Sequence, residues 1–571
     1  MNKRIFIGIC LLLLILSCQK DNTIIDEQPK EQIVVDYLQN LEVLCRVWGL
    51  VKYHHPAYSV GSLRDADADL IAMIPKIRNA DADTRNGLLL KWIKEFGRYE
   101  SDKAKWDQYV QNLKIPWIES EPQPKEIVNL SWMKDTSILG KDLSEELLKI
   151  RYAVRIQRNK YLLKSYPNVT FLENGYANIS NLTYEYRLLA LFRYWNIIEY
   201  FFPAKYMTDL HWDEVLKKHI PQFGSARNEL EYRTAVAQLV SEINDTHAFY
   251  DYIPLFGASY RQADNGVRFI DNRLIAYSVI AGIKPGDEII SIDGVRPLDI
   301  KATIAENFSL SNESGLLRET AMRIVGWTSK PNVTVTYVSD IGTRAEIFET
   351  KLLQGTALLS APSSIFANLN YREPYKLIED GTIGYVNSGF FSNEFASIMM
   401  DKFKDTKGII IDMRNYPSSS MFQLAYGYFT SIPQIFANCG ETDANTPGIV
   451  YIYGQSNVYS TNYGTYNGKV IVIVNEYTQS NGEFITMLLQ TIPGCITIGS
   501  QTAGADGNIS TFYLPGNIQT TISGLGVYYP DGTETQRVGI RIDEIVKPTI
   551  AGIKAGRDEL YERAIELINN K

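Results

Sequence analysis

The stretch that most constrains this chain is Lys469-Val-Ile-Val-Ile-Val-Asn475, followed by Glu476-Tyr-Thr-Gln-Ser480-Asn-Gly-Glu483 and the apolar run from Phe484 to Leu489. β-branched side chains at this density predict a strand buried on both faces. Phe484, Ile485, Met487, Leu488 and Leu489 then suit a helix packed on that sheet. Ser480 falls between the two elements, with Asn481 and Gly482 after it. A hydroxyl on a strand-to-helix turn points away from the sheet, and the N–H groups that open the helix can face a developing oxyanion. The arrangement suits a serine nucleophile. Taken alone it also suits a polar loop serine, so the rest of the chain has to decide.

At 571 residues the chain is too long for one core and predicts several domains. Its net charge of −8, with no basic block, argues against nucleic acid as a partner. Lys3 and Arg4 precede an apolar run from Ile5 to Leu16, shorter than the about 20 residues a spanning helix needs. Ile15-Leu16-Ser17-Cys18 resembles a bacterial lipobox. That resemblance implies a signal peptide over 1–18, lipid on Cys18 and attachment to a membrane; the other reading is an ordinary secretory signal ending near Ser17. Residues 19–33 read as a flexible tether. Their charge resembles the export signals of some Gram-negative lipoproteins, which implies a cell-envelope lipoprotein, at the outer membrane and either periplasmic or surface-exposed. Beyond Cys10 and Cys18 only Cys45, Cys439 and Cys495 remain, enough for at most one disulfide, and no Cys/His spacing suggests a zinc site.

Residues 34–250 read as a helical region with a diverged internal repeat. Arg46-Val-Trp-Gly-Leu-Val-Lys-Tyr53-His-His-Pro56 matches Arg193-Tyr-Trp-Asn-Ile-Ile-Glu-Tyr200-Phe-Phe-Pro203, and each runs on to Ile-Pro, at Ile74-Pro75 and Ile220-Pro221. Four of the five histidines, His54, His55, His211 and His219, belong to these copies and read as structural or solvated. The Pro-rich, charged segment 118–126 reads as a linker or exposed loop. A helix from Glu229 to Ile243 leads into Asn244-Asp245-Thr246-His247, which sets the fifth histidine in a polar turn.

Periodicity turns strand-like over 251–350. Strand candidates are 265–270, 273–279, 287–292 and 333–338, with a helix over 315–325. Pro285-Gly286-Asp287-Glu-Ile-Ile-Ser-Ile-Asp293-Gly294 resembles the PDZ signature. The resemblance implies a module that binds extended peptide as an added strand, with Gly286 and Asp287 in its substrate-binding part. A β-rich spacer is the other reading. Residues 357–571 form the last domain. Strands around Gly384, Ile409–Asp412 and Lys469, with helices between them, predict an α/β fold with a largely parallel sheet, whose strand ends carry Arg414 to Ser418 and Ser480.

Together, Gly384-Tyr-Val with Phe390, Asp412-x-Arg414, Ser480-x-Gly-Glu483, Gln501-Thr-Ala-Gly504, Gly539-Ile with Asp543, and the tail from Lys547-Pro-Thr to Ala564-Ile resemble peptidase family S41, the C-terminal processing and tricorn-like serine proteases. The fold this implies is multidomain α+β: a helical N-terminal region, a PDZ-like β module and a ClpP/crotonase-like catalytic domain. Processing proteases place a base lysine where this chain has Ala505. The tricorn-like branch uses a histidine after a short hydroxyl residue, which implies His247 as general base and Thr246 as its orienting neighbour. That branch completes its network with a glutamate that aligns with Gln536, with Glu534 as the substitute. Pro417 has no N–H to give, so the resemblance implies an oxyanion hole of the Ser418 and Asn481 amides. The function implied is hydrolysis of peptide bonds in exported or cell-envelope polypeptides by a Ser-His mechanism, with no metal or organic cofactor. Two alternatives stay open: a catalytically retired lipoprotein that binds peptide or apolar ligand in the same cleft, and a glycan-handling surface lipoprotein, which lacks a motif of paired carboxylates.

Overall fold

The computed structural model of the chain describes residues 36–115, 121–177, 182–250, 261–262, 266–280, 282–324, 330–352, 373–429, 433–456 and 466–570. The expected signal segment, Cys18 and the expected tether lie outside the described residues, as do 251–260 and 353–372 at the borders of the central module.

The N-terminal repeat is built from two matching helix pairs. Tyr37–His54 and Tyr184–Phe201 are 18 residues each, and the helices Ala66–Ile77 and Trp212–Ser225 follow them. The repeated tryptophan does the same work in both copies. Trp48 Nε1 donates to the Ala66 carbonyl at 2.7 Å, and Trp195 Nε1 donates to the Trp212 carbonyl at 2.8 Å. Each indole thereby holds the first residue of the next helix, an acceptor satisfied inside an apolar core. The long helices approach closely because position 49 is glycine: a Cβ there would fall 1.7 Å from Asn196 Oδ1. Lys52 and Arg193 are buried between the copies with Asp67 and Glu173. Two cations against two anions leave no uncompensated charge in the core.

The segment Gln123–Glu126, expected as linker or exposed loop, is a strand that pairs antiparallel with Ile449–Ser456. It carries no β-branched residues and contains Pro124, so local propensity hides it; as an edge strand it tolerates the proline.

The central module is a five-stranded antiparallel sheet, Val267–Ile270, Arg273–Ala276, Glu288–Ile292, Asn332–Ser339 and Gly342–Glu349 in that order. Helices Pro297–Asn307 and Glu313–Ile324 accompany it. The last strand and the first helix escape the sequence reading, because the strand is largely exposed and polar and the helix buries only Pro297, Ile304 and Asn307.

The last region is organised by a six-stranded sheet in the order Tyr375–Ile378, Ile383–Asn387, Gly408–Asp412, Lys469–Val474, Ile496–Gly499 and Glu544–Ile545. The first pair is antiparallel and the rest are parallel. Alternate residues serve opposite faces. Ile409, Ile411, Val470 and Val472 pack with residues of Asn393–Phe403, Met421–Tyr428 and Asn481–Leu489, while Ile410, Ile471 and Ile473 pack with Leu560, Ala564 and Ile568 of the last helix. Between the Gly408 and Lys469 strands the sequence reading places only helix. The structure adds the strands Ile435–Thr442 and Ile449–Ser456, which belong to a separate antiparallel sheet with Gln123–Glu126 and Leu525–Tyr528. A hairpin, Ile509–Leu514 with Ile518–Ser523, leaves this region and sinks Phe512, Leu514, Ile518 and Ile522 into the helical core. That hairpin brings distant residues to the turn that carries His247.

Candidate active site

Ser480 follows the Lys469–Val474 strand and directly precedes the Asn481–Leu489 helix. Its backbone is at φ 56°, ψ −123°, a region that costs a non-glycine residue energy and persists only when neighbours impose it. Those neighbours are on both sides. The Ser480 N–H donates to the Ala505 carbonyl at 2.9 Å and to Glu483 Oε2 at 3.2 Å. Upstream, the Thr478 hydroxyl donates to the Met413 carbonyl at 2.9 Å, which ties this loop to the next strand end. The Asn481 amide opens the helix and carries no hydrogen bond among the described residues.

Glu483 is the anchor of this half. Its carboxylate accepts from Thr502 Oγ1 at 2.5 Å and from the amides of Gly504 at 2.8 Å, Ala505 at 3.0 Å and Ser480 at 3.2 Å. Burial pushes Glu483 up to about 7. Burial, and then the charge of Glu483, push Asp506 well above the usual carboxylate range. Asp506 accepts from the Gly507 amide at 2.6 Å, and its Oδ2 has no hydrogen bond. Two adjacent buried carboxyls cannot both ionise cheaply; Glu483, with four donors, holds the charge and Asp506 keeps the proton.

His247 lies in the turn after the Glu229–Ser241 helix and is 8 % exposed. Its Nδ1 is 2.9 Å from Ser523 Oγ. Ser523 Oγ is 3.0 Å from Asp245 Oδ1, and the Ser523 N–H donates to Asp245 Oδ2 at 2.7 Å. The His247 N–H also donates to Asp245 Oδ1, at 3.0 Å, and Gln536 Nε2 does so at 3.2 Å. Burial lowers the His247 pKa, the charge of Asp245 opposes that shift, and Arg318 adds to it.

Expected site residues separate into those that meet here and those that do not. Thr246 is in place, but it pairs with Ser311: the Thr246 N–H donates to Ser311 Oγ at 2.8 Å and the Ser311 N–H to Thr246 Oγ1 at 2.9 Å. It fixes the turn, and the hydroxyl at the imidazole is that of Ser523. Gln536 touches Asp245 instead of the ring. Glu534 accepts from the Tyr206 hydroxyl and has no bond to this network. The Ser418 N–H, expected in the oxyanion hole, donates to the Ser388 carbonyl at 3.0 Å, and its hydroxyl donates to the Phe391 carbonyl. Its turn does lie beside the Ser480 turn, since a Cβ on Gly482 would be 3.6 Å from Pro417. Gly286 and Asp287, expected in the substrate-binding part, lie in the turn before the Glu288–Ile292 strand. They form a tight turn in which Asp287 accepts from the Lys284 amide, and Gly286, at φ 87°, lies against the Lys554 side chain. The other histidines serve helix ends and cores; His55 and His211, for example, accept from the Ala57 and Asp213 amides.

The loop 502–505 joins the two halves. The Ala503 N–H donates to the Thr478 carbonyl at 3.0 Å, and Ala503 O and Thr246 Oγ1 both lie within 4 Å of the Cβ position of Gly315. Arg318 spans them as well, donating to Gln479 Oε1 at 2.8 Å while its charge acts on His247. No hydrogen bond joins the Ser480 hydroxyl to His247 among the described residues; catalytic hydrogen bonds often tighten only once substrate is bound. A hydroxyl on a strained turn, an unbonded helix-opening amide and an oriented imidazole are the parts that acyl transfer needs. Among the described residues no cluster of His, Cys, Asp or Glu could hold a metal ion.

Residues 382–546 match the family model described as peptidase family S41. No curated protein matches the chain. Among solved structures, mature CPAF complexed with lactacystin is similar at 14 % identity and a TM-score of 0.55, over 68 % of this chain and 100 % of that one. Mature CPAF alone gives 14 % identity and 0.53, over 68 % and 99 %. A putative peptidase from Parabacteroides merdae aligns at 16 % identity over 68 % and 98 %, with a TM-score of 0.44. The likeness to CPAF is one of fold.

Proposed function

From the match of residues 382–546 to the model of peptidase family S41, we propose that the protein is a serine peptidase in which Ser480 is the nucleophile and His247 the general base. The observation that carries this reading is the Ser480 turn, held at positive φ and followed directly by the unbonded Asn481 amide. His247 Nε2 takes the Ser480 proton as Oγ bonds to the substrate carbonyl carbon. The Asn481 N–H stabilises the oxyanion. The imidazolium then protonates the leaving amine as the C–N bond breaks, and water, deprotonated by the same imidazole, releases the acyl group.

The PDZ-like module supplies a place for the rest of an extended peptide. Its edge strand Val267–Ile270 runs beside the Glu313–Ile324 helix, and a cavity of about 330 Å³ there is lined by Phe269, Leu317 and Tyr477 among others. An added peptide strand would bond to that edge. Lipid on Cys18 would keep the enzyme in the cell envelope, where exported polypeptides are its substrates; Cys18→Ser should release soluble protein on fractionation.

The second reading, a retired peptide-binding lipoprotein, is favoured by two features: the Ser418 amide is occupied and, among the described residues, no hydrogen bond links Ser480 to His247. Fluorophosphonate labelling with intact-mass detection separates the two. The enzyme reading expects one adduct on Ser480, lost together with peptide hydrolysis in Ser480→Ala. A chain that binds peptide but takes no label, or takes it on Ser418 or Ser419, would overturn it.

A further inference from the structure

We propose that Asp245, acting through the hydroxyl of Ser523, positions His247 and supports its positive charge, and that Gln536 locks Asp245 in that role. The inference rests on the reading of Ser480 and His247 given above and names the acid that reading leaves open.

Proton counting gives the direction of the chain. A serine hydroxyl has one proton, and a carboxylate has none to donate. Ser523 Oγ lies 3.0 Å from Asp245 Oδ1 and 2.9 Å from His247 Nδ1. Its proton therefore goes to Asp245, and its lone pair accepts the Nδ1–H of the imidazole. The neutral ring then carries its proton on Nδ1 and a bare lone pair on Nε2, the tautomer a base acting through Nε2 requires.

Electrostatics asks for the same partner. His247 is buried, which disfavours the imidazolium, and Arg318 of the Glu313–Ile324 helix disfavours it further. Arg318 itself is paired with Glu319. The opposing charge on His247 is that of Asp245, on the same turn. Asp245 is fully buried and accepts four hydrogen bonds: from the amides of His247 and Ser523, the Ser523 hydroxyl and Gln536 Nε2. A Gln536 amide can donate to that carboxylate but adds no charge, so one net negative charge stands behind the ring.

The support is rigid. Ser523 ends a strand whose Ile518 and Ile522 are buried in the helical core, and the Thr521 hydroxyl donates to the His247 carbonyl. Backbone and ring of His247 are thus held by one hairpin, while Ser309 holds the Asp245 amide at 2.9 Å from the other side.

The test compares the full-length wild-type protein with Asp245→Asn, Ser523→Ala, His247→Ala and the swap Asp245→Asn/Gln536→Glu. Peptide turnover and the rate of phosphonate labelling at Ser480 are followed against pH, and folding is checked by thermal melting. Asp245→Asn should lower kcat by about 10²–10⁴-fold with KM within about threefold. Its acid limb should move to lower pH, because the imidazolium has lost its counter-charge. Ser523→Ala should cost about 10–10²-fold and move the limb in the same direction. The swap returns one carboxylate to the pair and should recover at least tenfold of the loss. Should Asp245→Asn fail to fold, Ser523→Ala decides, since it removes a single hydroxyl. The proposal is overturned if folded Asp245→Asn and Ser523→Ala keep kcat within threefold and leave the acid limb unmoved while His247→Ala is inactive; the base assignment would then stand alone. If His247→Ala itself stays active, the underlying reading fails and this one with it.

Discussion

Asp245 and Glu483 are both buried carboxylates with four internal donors, yet they stand in opposite situations. The donors of Asp245 arrive from its own turn, from the hairpin at Ser523 and from Gln536, and include two side chains. Those of Glu483 are three backbone amides and one hydroxyl, all from the Ser480 turn and the loop 502–505. Behind Asp245 is a ring that changes charge; behind Glu483 is a second acid, Asp506. One carboxylate is placed to answer a charge that comes and goes, the other to hold a strained backbone still.

The largest effect that sharpens this contrast is on the base. His247→Ala should lose about 10⁴-fold or more in kcat. Alanine at His54, His55, His211 or His219 should leave kcat per folded molecule within about tenfold. Because burial lowers the His247 pKa, the acid limb of wild-type activity should lie below the ordinary imidazole value of about 6.5. A limb well above that value, or full activity in His247→Ala, would move the base elsewhere.

Next in size is Glu483→Gln. It keeps the shape but turns one acceptor into a donor facing N–H or O–H groups, so the Ser480 turn should relax. We expect about 10²–10³-fold lower kcat and equally slow phosphonate labelling, with the acid limb where it was. A moved limb would mean that Glu483 acts on the base, and the division between the two carboxylates would collapse.

These halves were unequally visible in the sequence. The Lys469 strand, the Ser480 turn and Glu483 are contiguous, so β-branched density and a short spacing reveal them. The helical repeat shows because each copy keeps its tryptophan for the same local bond. The base side depends on contacts between remote segments. His247 and Ser523 are 276 positions apart, and nothing near Ser523 marks it before the hairpin is seen entering the helical core. Asp245 is two residues from His247, but an Asp in a polar turn looks like any other until its partners are known. The bond made by the Ser418 amide was hidden for a related reason. A missing N–H at Pro417 can be read from the sequence, whereas capture of the next amide by Ser388, on the neighbouring strand end, cannot.

The smallest effect concerns Asp506 and is one of stability more than rate. In the folded chain burial holds Glu483 near 7 and raises Asp506 well above its ordinary value, against ordinary carboxyl values near 4. The native state therefore keeps protons that the unfolded chain releases. For a group raised in this way, stability is complete below the unfolded value and is lost as pH climbs through the folded one. Wild-type stability should accordingly fall between about pH 4.5 and pH 7, as ionisation of the unfolded chain outruns that of the buried pair. Asp506→Asn leaves a neutral group of the same shape that can no longer ionise beside Glu483. It should flatten that decline, with a relative gain of about 1–3 kcal/mol by pH 8 and little at pH 4. The kcat should stay within about tenfold because the Ser480 turn keeps its anchor. Melting curves at several pH values give the answer. If mutant and wild type lose stability in parallel, Asp506 carries no excess proton, and the contrast between a carboxylate with a neighbouring acid and one without reduces to hydrogen-bond geometry alone.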